Sequence, residues 1–422
     1  MAVYFLQIYE EKPLLAISSF DKNMIRGCFP SHFCRVAGRV TFGRGCDSSW
    51  VGFVGIYDFN RIFVKTFESS RTMRLCYLSR NYKNVALGGG KAKTDIEQTL
   101  AAMGAVNLGL RQTRSTNKVY DFVRNLTGVL RAMWRLQKGD VLVLQYPVKK
   151  WFEPLCKAAH RRQAKVVAII HDLGSFRRKR LTVAEEIARL NHADVVIAPN
   201  PYQQQWLVEQ GCRARVTVYG LHDYLSDEVI EPAHPAPEPD AAGKVHFSAC
   251  FVGNLSPKIN GYLYRLADRL HEVTLHLYGP SFAEGESRSN APLQYHGFGH
   301  DMTLMRSIEG DFGISWYGES IAGPEGALGE YMAFNNPHKV SLYLRCGIPL
   351  IIWCKAGLGR LVEQEGIGLV VDSLEELEER LTTLTLEEYR AMQENVRRVV
   401  TQIASGGSCR RAVEEAMALL QA

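Results

Sequence analysis

From residue 73 to the end of the chain, short apolar runs alternate with helix-length amphipathic segments, and the alternation stops and restarts once. Such a pattern folds into βαβ units around parallel sheets, whose strands are covered on both faces and so read as nearly continuous apolar runs. The first series places strands at 75–79, 140–147 ("DVLVLQYP"), 165–172 ("KVVAIIHD"), 193–200 and 215–221. A helix is expected over 94–103. Another, over 119–136, carries Val119, Phe122, Val123, Leu126, Leu130, Met133 and Trp134 at helical spacing and is expected to pack on the sheet. The interruption, 231–243 ("EPAHPAPEPDAAG"), has four prolines and reads as a stiff interdomain linker. Strands then resume at 245–255, 274–280, 293–299, 311–318, 348–353 and 366–371, with helices at 259–271, after 338, and at 373–383 and 386–421. The expectation is an α/β chain of two Rossmann-like domains, 73–230 and 244–422, facing a cleft. The last helix is long enough to cross back to the first domain.

Composition narrows this further. With 422 residues, 46% apolar and 22% charged, the chain is globular rather than disordered or fibrous. No apolar run approaches the roughly 20 residues that span a bilayer, and the first residues lack the positive charge of a signal peptide. Ten scattered cysteines include no C-x-x-C pair, which fits reduced thiols in a cytoplasmic protein. Residues 1–72 show no sustained period of 2 or 3.6 and read as an irregular leader or a mis-assigned start, with Met73 opening the first domain. Charge is divided: 73–230 holds 25 Lys and Arg against 13 Asp and Glu, and 231–422 holds 16 against 25. A basic half suits phosphate-rich surfaces, or is simply a solvated face. No nucleic-acid-binding module accompanies it.

Four segments could carry chemistry. Between the first strand and its helix lies "NVALGGGKAKTD", where Gly88, Gly89 and Gly90 allow a close backbone approach to a ligand, or just a flexible turn. His171 and Asp172 end a buried strand, where either could take a proton from a hydroxyl, or Asp172 could cap the next turn. The run 177–180 that follows is basic and could meet phosphate or solvent. In "VGNLSPK", Gly253, Asn254 and Lys258 combine close approach, a donor and a cation where a diphosphate could lie. In "FNNPHKVSLYLRCGIPLII", Pro337 suits a first helical turn, so that Asn335, Asn336, His338, Lys339 and the helix amides form an anion-holding end. There is no D-x-D sequence, no Walker A, no G-x-S-x-G and no H-E-x-x-H. No metal site is expected, and lysines with a helix dipole would stabilise a leaving group without one.

The blocks "VGNL" with Lys258, "LYGP" 277–280, "DFGISWYG" 311–318 and above all "NNPHKVSLYLRCGIPLIIW" 335–353 resemble GT-B glycosyltransferases of the bacterial glucosyltransferase 3-like and β-1,6-galactofuranosyltransferase-like family. "GIGLVVDSLEEL", "QYP" 145–147 and "HD" 171–172 support the resemblance, which covers nearly all of 73–422. It implies transfer of a sugar (glucosyl, galactosyl or galactofuranosyl) from a UDP-sugar to a hydroxyl of a glycan or lipid-linked glycan, with inversion and with no cofactor. Implied donor contacts are Lys258, Tyr278, Gly279, Asn335–Lys339 and Ser341; acceptor contacts fall at Asn84, Gly88–Gly90 and Thr94. Tyr317 stands where the family pattern leads one to expect an acid after Trp316. "PVKKWF" 147–152 and the basic run suggest peripheral contact with an anionic membrane at the inner face of the cell envelope. Alternatives are a GT-B protein that binds a nucleotide sugar without turnover, or a GT-B epimerase. A homo-oligomer is compatible with the sequence.

Overall fold

The computed structural model describes residues 2–6, 36–40, 51–58, 61–68, 73–82, 88–113, 117–177, 181–226, 234–297, 299 and 305–422. The chain divides into two compact units, Met1–Met73 and Arg74–Ala422. The first contains two antiparallel strand pairs: β1 (Ala2–Leu6) with β2 (Val36–Val40), and β3 (Val51–Asp58) with β4 (Arg61–Glu68). The reading of this segment as irregular is thus corrected. Gly52 and Gly55 break the period-2 count in β3, while the β-branched and aromatic residues around them still favour strands.

The second unit holds two six-stranded parallel sheets. The first comprises β5 (Arg74–Tyr77), β6 (Val106–Asn107), β7 (Asp140–Tyr146), β8 (Lys165–Ile170), β9 (Val195–Ala198) and β10 (Arg215–Val218), in the order β10-β9-β8-β7-β5-β6. The second comprises β11 (Ala249–Val252), β12 (Leu275–Tyr278), β13 (Leu293–Tyr295), β14 (Phe312–Ser315), β15 (Leu350–Trp353) and β16 (Gly368–Val371), in the order β13-β12-β11-β14-β15-β16. Strand order reverses between β5 and β7 in one sheet and between β11 and β14 in the other. Ligands of such sheets bind at these switch points, outside the strand C-termini.

Five helices position the site and are labelled here. They are α1 (Gly88–Ala102), α2 (Lys118–Arg135), α3 (His338–Arg345), α4 (Leu386–Ala404) and α5 (Gly407–Gln421). One face of the second sheet packs on α3 and α4 through Val340, Leu344, Val396 and Ile403; the other packs on the helix Tyr262–Arg269. Residues 234–248 contain no regular element, so the strand expected from 245 begins only at Ala249, and the carbonyl of His234 accepts from Gln393 Nε2 of α4 at 2.9 Å.

Three helix expectations change. The glycine triplet is the first turn of α1 rather than a loop before it. The 386–421 segment breaks into α4 and α5 at Gly406, whose φ of +79° and close approach to Thr99 of α1 exclude a side chain. α2 buries Gly128, Val129 and Ala132 and leaves Val119, Phe122, Val123, Leu130 and Trp134 exposed. Gly128 faces Gly109 and Leu110 in the segment after β6, and the apolar stripe faces outward.

α5 crosses back to the first sheet. Thr217 of β10 donates to Glu415 at 2.7 Å, Arg215 donates to the carbonyl of Leu419, and Arg411 donates to the carbonyl of Tyr219 at 2.6 Å. Asp223, after β10, accepts from the amides of Ser408 and Cys409 at 3.0 and 2.7 Å and so caps α5 from the first domain.

Candidate active site

The two glycines expected at the donor site stand back to back. A Cβ on Gly279, whose φ is +143°, would lie 1.7 Å from the carbonyl oxygen of Gly253, so the turns after β11 and β12 can only meet through bare backbone. Asn254, exposed, folds its Oδ1 onto the amide of Ser256 at 2.8 Å. Lys258 is exposed on the short helix Pro257–Asn260. Tyr278 is buried, its hydroxyl accepting from the Glu309 amide at 2.8 Å.

α3 begins beside this turn. Pro337 is the residue before its first turn, no side chain caps it, and Lys339 lies in that first turn. The Lys339 ammonium sits 3.9 Å from the ring centroid of Phe251 in β11 and 4.4 Å from that of Tyr317, just past β14. It therefore occupies the switch point of the second sheet. Tyr317, where an acid was expected, supplies an aromatic face instead. Lys339 has no ion-pair partner among the described residues, and enclosure by protein lowers its pKa from 10.5 to about 7. Its side chain is still partly accessible to solvent. A half-desolvated cation at an uncapped helix N-terminus is a binding site for an anion.

Asn336 and Ser341 turn the other way. Asn336 donates to the carbonyls of Pro199 and Gly220 at 2.6 and 2.7 Å and accepts from Asn200 at 2.8 Å, while Ser341 donates to the carbonyl of His222 at 2.7 Å. Both spend their hydrogen bonds holding α3 against the first domain. Asn335 is half-buried between these groups.

The first domain contributes a row of imidazoles. His171, at the end of β8, stacks on His222 with centroids 6.1 Å apart, and His222 lies 5.9 Å from His338. His171 Nε2 is 2.8 Å from Gln145 Oε1, and the Gln145 amide nitrogen donates to Tyr82 and to the carbonyl of Lys93. This assignment of the Gln145 amide makes His171 Nε2 the donor and leaves Nδ1 to accept a proton. Burial, then Lys93, His222 and His338, hold the His171 pKa well below 6.5. Burial also lowers His222 to about 4. All are neutral at neutral pH. His338 donates through Nε2 to the carbonyl of Asp223, and its ring stacks on Tyr224 at 4.9 Å. Asp172 is half-buried beside His171. Gly88–Gly90 open α1, and Thr94 Oγ1 donates to the carbonyl of Lys91 at 2.8 Å; Asn84 and 178–180 lie outside the described residues.

Sequence reasoning missed Gln145, His222 and Phe251, and noted Tyr317 only as a departure from the family pattern. Their common signal is position at or just beyond the C-terminal end of a strand. It also missed Lys91, which bonds Asp95 at 2.9 Å and the carbonyl of Leu225 at 2.6 Å and so ties α1 to the segment after β10.

Two parallel sheets with strand ends converging on one cation and a row of neutral imidazoles define a GT-B glycosyltransferase, and the protein is a transferase of this class. The glucosyltransferase 3-like N-terminal domain matches residues 75–221 and the glucosyltransferase 3-like C-terminal domain matches 249–416, so the chain belongs to the glucosyltransferase 3-like family. It is 29% identical over 282 residues to a β-1,6-galactofuranosyltransferase of Escherichia coli (strain K12), covering 66% of this chain and 80% of that one. It is 28% identical over 282 residues to glucosyltransferase 3 of Streptococcus gordonii, covering 65% and 77%. The fold is similar to sucrose-phosphate synthase of Thermosynechococcus elongatus, with a TM-score of 0.50 and 14% identity over 83% of this chain and 98% of that one. Among the described residues no helix is long and apolar enough to cross a membrane.

Proposed function

We propose that the protein transfers a hexosyl group, glucosyl, galactosyl or galactofuranosyl, from a UDP-sugar to a hydroxyl of a glycan or glycolipid, with inversion and without a metal in the transfer cleft. The observation that carries this reading is Lys339, a cation with no ion-pair partner among the described residues, at the uncapped start of α3 and on the switch point of the second sheet. A diphosphate placed there accepts from the first-turn amides of α3 and pairs with Lys339. Gly253 and Gly279 leave room for it, and Lys258 lies exposed on the helix that follows β11. As the bond to the sugar breaks, the growing charge on the leaving oxygen falls on groups already aligned to receive it. On the opposite wall a base accepts the acceptor's proton: His171 Nδ1 is oriented for this by Gln145, and Asp172 is the neighbouring candidate. Asn336 and Ser341 act as positioning residues that hold the donor helix against the acceptor domain.

The acceptor is proposed to reach the first domain, near Gly88–Gly90 and Thr94, from an anionic membrane on the cytoplasmic side. The exposed face of α2 supports this. Its Trp134, Phe122 and Val119 stand beside Lys118 and Arg131, and the Lys150 ammonium lies 5.1 Å from the Phe122 ring centroid and 4.8 Å from that of Trp151.

Thermal unfolding of the protein in the presence of UDP, GDP, ADP and CMP tests the donor site. A rise in melting temperature selective for UDP is expected, because a ligand bound only by the native state stabilises it. Lys339→Ala should abolish the rise. If no nucleotide shifts the wild-type protein, or if the shift survives Lys339→Ala, the donor site is not here.

A further inference from the structure

The second sheet has a second cluster of ligand-type side chains along its β13-β12 edge, where His276 lies within β12 and His296 directly follows β13. Ser248 and Asp311 immediately precede β11 and β14, and with His234, His276, Glu309 and Cys346 they line a cavity of about 510 Å³. Lys339 lies beyond the C-terminal ends of the same strands. His276 Nδ1 is 3.0 Å from His296 Nε2 and 3.7 Å from Glu309 Oε2. Ligating atoms of the three residues all lie within 4.8 Å of one another.

We propose that His276, His296 and Glu309 bind a zinc-class divalent cation, with cavity water completing its coordination.

The argument is geometric. Imidazole nitrogen and carboxylate oxygen each approach zinc to about 2.0–2.2 Å, which puts neighbouring ligand atoms of a tetrahedral site about 3.3–3.5 Å apart. The separations from His276 Nδ1, 3.0 Å to His296 Nε2 and 3.7 Å to Glu309 Oε2, straddle that value, and the third pair lies within 4.8 Å. The rings are held in place by their surroundings: Tyr278 stacks on His296 with centroids 4.5 Å apart and planes 9° from parallel, and its hydroxyl accepts from the amide of Glu309. One tyrosine thus packs on the ring of one ligand and fixes the backbone of another. His276 is buried. Glu309 is largely exposed and opens the cluster to solvent; its carboxylate offsets part of the ion's charge. Two imidazoles and one carboxylate favour zinc, cobalt or nickel over magnesium. Because the cluster joins β12, the residue after the edge strand β13 and the segment entering β14, a bound ion would clip that edge of the sheet together.

The test uses the full chain, stripped with a chelator and titrated with Zn²⁺ while thermal unfolding is followed. A saturable rise in melting temperature at one ion per chain is expected, with no rise from Mg²⁺. His276→Gln and His296→Gln should each abolish it. Glu309→Gln, an exposed change that leaves the fold intact, should weaken apparent affinity by at least the roughly 10–100-fold that loss of an outer partner costs. Co²⁺ added to the unmodified chain should give the visible bands of a tetrahedral site, which reads the ligand set even if a histidine variant does not fold. No Zn²⁺ effect, an effect unchanged in Glu309→Gln and His276→Gln, or Co²⁺ without those bands overturns the proposal. None of these readouts involves sugar transfer, so the outcome is independent of the donor-site reading.

Discussion

At the scale of single residues, the cleft pairs a lysine that is easily deprotonated with a histidine that is hard to protonate. Lys339 has a folded pKa of about 7 against 10.5 when free, so in the unliganded protein it loses its proton as pH rises through 7. Only the ammonium form holds a diphosphate. UDP affinity is therefore expected to fall as pH rises above about 7, with proton uptake on binding, measured by calorimetry in buffers of different ionisation heat. Lys339→Arg, whose charge persists, should flatten that dependence. His171 has its pKa lowered as well, well below 6.5, so it is unprotonated throughout the neutral range. His171→Gln is expected to lower kcat by about 10²–10⁴-fold with donor affinity retained, the usual contribution of a general base. Asp172→Asn, assayed alongside, apportions the role; a larger loss there makes Asp172 the base.

Among the elements, the turns at the strand ends are the most constrained. Gly279→Ala would drive a Cβ to 1.7 Å from a carbonyl oxygen at a φ that side chains rarely adopt. A loss of about 3 kcal/mol or more in stability is expected by denaturant unfolding, at the upper end of overpacking costs. α2 is constrained only on its inner face. Trp134→Ser with Phe122→Ser should leave the melting temperature nearly unchanged and reduce sedimentation with anionic vesicles, whereas a shift in oligomeric state without loss of vesicle binding would assign the face to a second copy of the chain. These two elements show what a sequence reveals. Strands such as 140–146 and 165–170 were legible because burial on both faces leaves a continuous apolar signature. The outward face of α2 was not, since amphipathicity identifies an apolar stripe without saying what covers it. The same limit applied to the site: His171 and Lys339 were legible from their places at a strand end and a helix start. Asn336 and Ser341 read as donor contacts from those neighbours, because their partners at 199, 220 and 222 lie more than 100 residues away and leave no local mark.

For the molecule as a whole, the polar stitches between the two sheets set the geometry of the cleft. Asn200, Asn336 and the carbonyls of Pro199 and Gly220 are bonded to one another with little water access. Asn336→Ala removes the partner of the Asn200 amide nitrogen and of the Gly220 carbonyl and is expected to cost about 1–3 kcal/mol, seen as a lower unfolding midpoint. The aromatic group Phe176, Trp206, Tyr331 and Phe334 packs across the same junction, with the Phe176 and Phe334 rings 4.7 Å apart.

α5 makes the two sequence halves unequal. Its hydrogen bonds run to β10 and Asp223, so the final 16 residues complete the domain that begins at Arg74. A chimera that exchanges the second sheet's domain between relatives must therefore take residues 244–404 as the replaceable cassette and leave the C-terminal tail with the first sheet it packs on.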